Sequence, residues 1–236
     1  LVKLIDIHKR YQSVDVLDGI DMEFEEGMIT AILGPSGCGK TTLLSITAGL
    51  IEPTRGEVLG MESKKTGFIF QEPRLLPWKT AVQNLEFVLP DNIEKTVKKQ
   101  ICCDILKQVG LSGFEKHYPS QLSGGMSQRL AMARAFIVDS DILFMDEPFQ
   151  FLDLKRRGQM IELLISLWLK RKPAVVIVTH DVHEALLLSD KIYILSDKPA
   201  KVIKEIRNPM PFGSRSVKNA EFYKLEQEII NDYLLR

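Results

Sequence analysis

The sequence lacks long apolar runs. No stretch approaches the roughly 20 residues a membrane-spanning helix needs, so no span is expected among its 236 residues. Net charge is absent too: 31 Lys and Arg balance 31 Asp and Glu. The totals therefore carry no footprint of a polyanion partner, and nucleic acid is not an expected ligand. Cysteine is scarce. Cys38, Cys102 and Cys103 show no metal-ligand spacing, which fits a reducing cytosol rather than a disulfide framework. The first residues have neither the apolar core nor the small-residue cleavage site of a secretory signal, so no leader is expected. Internal repeats and low-complexity tracts are missing as well. What remains, with 45% hydrophobic and 26% charged residues, is the composition of a soluble globular chain, long enough for one large domain or two small ones.

The most informative stretch is residues 28–50, MITAILGPSGCGKTTLLSITAGL. Residues 29–33 have the length and β-branching of a buried strand. Gly34-Pro35-Ser36-Gly37-Cys38-Gly39 is a glycine-rich turn, and Lys40-Thr41-Thr42 opens a helical pattern carrying Leu43, Leu44, Ile46 and Ala48. The string fits G-x-x-x-x-G-K-[ST] between a strand and a helix, the context a phosphate loop requires. Glycine has no Cβ, so the backbone can wrap a phosphate closely. The turn's N–H groups and the helix N-terminus then face the anion. Lys40 is expected on the β- and γ-phosphates and the Thr41 hydroxyl on Mg²⁺.

The rest of the chain alternates. Residues 2–7 and 20–24 read as half-solvated strands, with Tyr11 in a polar turn between them. Residues 57–59 and 67–70 are short strand candidates, the second ending at Gln71. Pro73 and Pro77 forbid regular structure up to Trp78. Helical patterns at 81–88, 93–109 and 124–138 form a largely helical insert. The second carries Ile93, Val97, Ile101, Ile105 and Val109 at i+4 spacing, and its two cysteines read as core filler. Buried strands follow at 141–145 and 174–179, a helix at 153–169, a short helix capped by Asp181, late strands at 192–195 and 202–206, and a final amphipathic helix at 219–235. The loop at 207–216 and that helix use up the remaining residues, so no further domain is expected after the core. Strand–helix alternation argues for an α/β sheet with right-handed crossovers.

Three strand ends carry chemistry. Asp146 ends one apolar strand, where a carboxylate can hold Mg²⁺ directly or through water. Glu147 lies just beyond, where crevice ligands bind in α/β sheets, and suits a general base for the attacking water. His180 follows another buried strand and could donate to the γ-phosphate or the water. These ends meet the phosphate loop at Gly34 if the strands are parallel neighbours. Gln71 can offer its amide to Mg²⁺ or water. His8, His117 and His183 have no such placement and read as solvated or locally satisfied. Ser123-Gly124-Gly125 opens the helix ending at Val138, a second anion-ready N-terminus. One nucleotide does not need two such sites. Two subunits packed head to tail would use both.

The ordered set GPSGCGKT at 34–41, FIFQEPRLLPW at 68–78, LSGGMSQR at 122–129, ILFMDEP at 142–148 and TH at 179–180 resembles the nucleotide-binding subunit of ATP-binding cassette transporters over nearly the whole chain. The resemblance implies a single cassette domain with a P-loop NTPase (RecA-like) α/β core, an N-terminal antiparallel β flank and an inserted helical subdomain. The core would comprise residues 1–71 and 139–236, the helical subdomain 72–138. It implies ATP and Mg²⁺ as ligands, with Tyr11 stacked on adenine and residues Ser36, Gly37, Cys38, Gly39, Lys40, Thr41 and Thr42 around the phosphates. Thr41, Gln71 and Asp146 would hold the metal. Catalysis would use Glu147, His180, Lys40 and Gln71. It also implies a dimer in which Ser123, Gly124 and Gly125 of one copy close on the ATP of the other, with Asp153 nearby.

The segment 71–78 and the stretch 197–206 are similar to importers of nitrate, taurine and alkanesulfonates. In that group, the region of Leu75, Leu76 and Trp78 receives a short cytoplasmic helix of the membrane permease. An extracytoplasmic solute receptor and a peripheral location on the cytoplasmic membrane face are implied as well. Three departures stand out. Met126 replaces the glutamine often found after the signature glycines, Gln150-Phe151 is bulkier than the usual loop before the aspartate, and residues 56–67 are short for the expected strand hairpin. Two rival readings remain. One is a soluble, non-transport cassette ATPase, disfavoured because the chain has one cassette and no long heptad run. The other is a nucleotide-gated scaffold, disfavoured by the presence of Glu147 and His180.

Overall fold

The computed structural model describes residues 1–150, 152–216 and 218–234. Phe151 and the expected helix end at Leu235 lie outside the described residues.

The centre is a six-stranded sheet in the order β5-β6-β7-β3-β8-β9. Strands β3 (Ile29–Leu33), β6 (Ile142–Asp146), β7 (Ala174–Thr179) and β8 (Lys191–Leu195) are buried along their whole lengths. Continuous Val, Ile and Leu runs suit them, because both sheet faces are covered. All pair in parallel with each other and with β5 (Thr66–Ile69); only β9 (Val202–Arg207) runs antiparallel. Successive side chains point to opposite faces. Ala31 and Leu33 therefore join the core under the helical side, while Ile32 joins a second core with Leu43 and Leu44.

That second core is roofed by a three-stranded sheet, β2-β1-β4. It contains β1 (Val2–Tyr11), β2 (Val14–Phe24) and β4 (Arg55–Leu59), paired antiparallel. The alternation read in residues 2–7 and 20–24 is the inward–outward pattern of this flank, and both strands run longer than it suggests. Tyr11 is corrected accordingly: it ends β1, opposite Val14, rather than sitting in a turn. The shortness of residues 56–67 fits a flank of three strands among the described residues.

Helix α1 (Lys40–Thr47) packs on the roofed face. The opposite face carries α2 (Ala81–Glu86), α3 (Lys95–Gln108), α4 (Gly124–Ile137), α5 (Leu154–Trp168), α6 (Val182–Leu188) and α7 (Ala220–Leu234). The helix expected from 93 starts two residues later at Lys95. Cys102 is fully buried in it and its thiol is pushed up to about 12 by desolvation, as suits inert filler. Cys103 is only half-buried.

Candidate active site

Parallel pairing of β6, β7 and β3 brings their C-terminal ends to one edge. Gly34, Asp146 and Thr179 with His180 meet there, at the kind of crevice where open α/β sheets bind ligands. The phosphate loop departs from β3 into α1. Gly37 and Gly39 have positive φ values of 79° and 120°. A Cβ on Gly39 would stand 2.8 Å from Val16 Cγ1, so the turn and its packing against β2 both require glycine. The backbone N–H groups of Gly37, Gly39, Thr41 and Thr42 have no hydrogen-bond partner among the described residues. Unpaired donors at a helix N-terminus form an anion cradle. Cys38 closes the turn instead, its N–H donating to Pro35 O at 3.3 Å; its side chain is buried, and burial pushes its thiol up.

Lys40 is nearly buried and donates to the carbonyls of Gly34 at 2.8 Å and Pro35 at 2.9 Å. Its Nζ also lies 3.6 Å from Glu147 Oε1. The Thr41 hydroxyl donates to Asp146 Oδ1 at 3.0 Å. Asp146 is 8% exposed. Desolvation raises its carboxyl above the usual range, opposed by the Thr41 hydrogen bond and the charge of Lys40. Glu147 turns out of β6 with φ 42° and anchors its N–H on Val178. Its Oε2 meets His180 Nδ1 at 3.1 Å. One carboxylate thus bridges the lysine of the loop and the histidine of the third strand end.

Behind His180 lies a network that sequence reasoning missed. Thr179 donates to the buried Glu184 at 2.8 Å and accepts from the Asp181 N–H at 3.1 Å. Arg157 reaches Asp181 at 2.6 Å and Glu184 at 3.3 Å. Burial raises the Glu184 carboxyl, and Thr179 counteracts this. An acid four residues after His180, on the apolar face of a short helix, was the available signal.

A cleft of about 250 Å³ opens over the loop, lined by Tyr11, Val16, Gly37, Thr42, Glu147 and Lys198 among others. Tyr11 is half-exposed there, with Lys9 Nζ 5.1 Å from its ring centroid. Ser36 is exposed at the loop tip.

Other expected site residues stand apart from this cleft. Gln71 lies two residues past the end of β5, not at it, and its side-chain Nε2 donates to the side-chain Oε1 of Gln150. Ser123 caps α4 by accepting from the Met126 N–H at 3.3 Å. A Cβ on Gly124 or Gly125 would meet open space. Asp153 caps α5 through the Arg156 N–H at 3.0 Å. None of these five lines the cleft. His183 and His8 have carboxylate partners, whereas the half-buried His117 keeps its Nδ1 without a hydrogen-bond partner among the described residues.

In the 71–78 segment, Leu75 packs against the core, Leu76 is half-buried and Trp78 is 70% exposed. Asn84, fully buried, clamps the turn. It accepts from the Leu76 N–H at 2.8 Å and donates to the carbonyls of Leu76, Lys79 and Thr80.

The arrangement matches proteins already known. The ABC transporter family profile matches residues 17–150. The aliphatic sulfonates import ATP-binding protein SsuB of Bacillus cereus (strain ZK / E33L) is 41% identical, over 95% of this chain and 91% of its own length. The taurine import ATP-binding protein TauB of Yersinia pestis (bv. Antiqua, strain Antiqua) is 39% identical, over 87% and 82%. A dimeric post-hydrolysis structure of the ATP-binding cassette MJ0796 with ADP and Pi superposes with a TM-score of 0.77 at 31% identity. That match covers 89% of this chain and all of the other. The chain is a member of the ABC transporter family and is its ATP-hydrolysing subunit.

Proposed function

We propose that this ATPase drives import of a small sulfonate-type solute, such as taurine or an alkanesulfonate. Its similarity to the sulfonate and taurine import proteins supports the substrate class. The observation that carries the mechanism is the cluster in which Glu147 touches both Lys40 and His180 beside the Thr41–Asp146 pair.

In this reading Tyr11 stacks on the base and the free N–H groups of the loop hold the phosphates. ATP entering the cradle draws Lys40 from its carbonyl partners onto the β- and γ-phosphates. That frees Glu147 to accept a proton from the attacking water, a role worth about 10²–10⁴-fold. His180 holds the water and γ-phosphate in line, and the Thr179–Glu184–Arg157 network fixes His180. Most of the acceleration is positioning and charge stabilisation. The hydroxyl of Thr41 and the carboxylate of Asp146 are hard oxygen donors 3.0 Å apart, and they fit Mg²⁺. When bound, Mg²⁺ would supply neutralisation of the polyphosphate's charge. Gln71, whose Nε2 donates to Gln150, would offer its side-chain oxygen to that set.

Two copies complete the sites in this scheme. Ser123, Gly124 and Gly125 of one copy cover the γ-phosphate held by the other, with Asp153 at the seam. The dimeric cassette structure with ADP and Pi supports this. Residues 72–138 form the helical subdomain, and residues 1–71 with 139–236 the core. Trp78 and Leu76 meet the permease, with Leu75 anchoring the segment inward. The subunit sits peripherally on the cytoplasmic membrane face and takes no nucleic acid. No helix among the described residues is long and apolar enough to cross a membrane.

The test is co-expression with the neighbouring permease and solute receptor. Phosphate release should rise when the reconstituted complex is given receptor loaded with taurine or an alkanesulfonate. An ATPase that purifies only with soluble partners, and ignores every sulfonate-loaded receptor, would remove the importer reading.

A further inference from the structure

The nucleotide cleft contains a cation that none of the motifs explains. Lys198 lines it together with Tyr11, Val16 and the phosphate loop, yet belongs to the turn between β8 and β9. That turn is pinned. Ala200 donates to Val16 O at 2.9 Å and accepts from the Asp18 N–H at 3.0 Å, joining the turn to the start of β2. The turn is closed on itself as well: Ser196 N–H donates to Lys201 O at 3.0 Å, and the Ser196 hydroxyl accepts from the Lys201 N–H at 3.0 Å. The base of the turn abuts the phosphate loop, since a Cβ on Gly34 would stand 3.1 Å from Leu195 Cβ.

The turn carries Asp197, Lys198 and Lys201, and the charge of Asp197 acts on the Cys38 thiol of the phosphate loop. Lys201 is neutralised by Asp18 at 2.9 Å. Lys198 has no carboxylate partner among the described residues. The pinned turn therefore brings the Lys198 ammonium to a cleft that Tyr11, Glu147 and the phosphate loop also line. An ammonium is a donor-only point charge, suited to phosphate oxygens. Lys40 belongs to the far, β/γ end of the polyphosphate.

We propose that Lys198 is a nucleotide-binding residue that pairs with the α-phosphate of ATP and of product ADP. It extends the cationic contact along the polyphosphate beyond the phosphate loop, and so raises affinity for both nucleotides rather than for ATP alone. This rests only on ATP being the ligand of the cleft.

The test is calorimetric titration of ATP and ADP into wild-type protein and Lys198→Ala, Lys198→Arg, Lys198→Glu and Lys201→Ala. EDTA in the buffer removes hydrolysis and metal effects. An exposed charge pair predicts that Lys198→Ala weakens both nucleotides about fivefold and equally. Lys198→Glu should weaken them further and Lys198→Arg should restore most of the loss. Lys201→Ala should match the wild type, and added salt should shrink the Lys198 differences. Unchanged affinities in Lys198→Ala and Lys198→Glu would overturn the proposal. So would a loss confined to ATP, which would move the contact to the γ-phosphate. Absence of ATP binding by the wild type would instead count against the cleft itself.

Discussion

The Thr41 hydroxyl donates to Asp146 at 3.0 Å, joining the first turn of α1 to the last residue of β6 across more than a hundred residues of sequence. Burial raises the Asp146 carboxyl. A group whose folded pKa exceeds its unfolded value binds more protons folded than unfolded. Stability then falls as pH rises through the folded pKa, and at neutral pH the ionised carboxylate is a net cost. Asp146→Asn keeps an acceptor for Thr41 and removes the charge. Its melting temperature without nucleotide should exceed the wild type at pH 7, with the gap closing toward pH 4. At this size each kcal/mol gained moves Tm by about 2–4 °C. Turnover should fall at least about 100-fold, the familiar trade of stability against function. Calorimetric scans at the two pH values check this; an Asp146→Asn protein that melts lower at pH 7 would refute it.

Glu147 occupies a strained backbone position, φ 42° on a non-glycine residue, and such strain concentrates at functional sites. Glu147→Gln should cut phosphate release about 10²–10⁴-fold while leaving ATP affinity within about threefold, because the proton acceptor is lost but the cradle is not. Single-turnover rates with titrated ATP binding separate the two. A mutant with unaltered turnover would transfer the base role elsewhere.

Asn84 makes four hydrogen bonds to the turn at 76–80 from a fully buried position. Asn84→Leu strands those backbone groups, at about 1–3 kcal/mol for each left unsatisfied. Tm should drop by several degrees, and trypsin should cut faster after Lys79. ATP hydrolysis by the isolated subunit should stay within about twofold, whereas stimulation by the permease should weaken. Unchanged tryptic kinetics would show that the turn does not depend on Asn84.

Strand and phosphate-loop placement were legible because they rest on local chemistry. Residues 29–33 and 174–179 are apolar throughout, and G-x-x-x-x-G-K-T allows few folds. Asp146, Glu147 and His180 were legible as strand exits, and the parallel neighbours needed to join them are present. Asn84, Glu184 and Lys198 were not. Asn84 and Glu184 matter through partners in the loops and helices packed around them, and Lys198 through a turn sewn onto β2 some 180 residues earlier. No local pattern encodes such contacts. Gln71 is a further case: its Nε2 donates to Oε1 of Gln150, 79 residues away.

The signature at 123–125 gives the sharpest test of a shared site. Ser123 caps its own helix, the glycines face open space and none of the three lines the subunit's own cleft. A helix N-terminus with this exposure is free to serve another copy. Lys40→Ala should disable the phosphate loop that carries it, and Ser123→Arg should disable the site to which that signature contributes. Consider mixed dimers with differently tagged subunits. With Lys40→Ala in one subunit and Ser123→Arg in the other, a shared arrangement puts both lesions in one site and leaves the second whole. With both substitutions in the same subunit, each site receives one lesion and none survives. Self-contained sites predict the reverse, since the separated lesions would then kill both. Phosphate release should therefore approach half the wild-type rate for the separated pair and fall to about 1% or less for the joined pair, given losses of about 10²-fold or more for each lesion. Equal rates, or the opposite order, would eliminate the shared site.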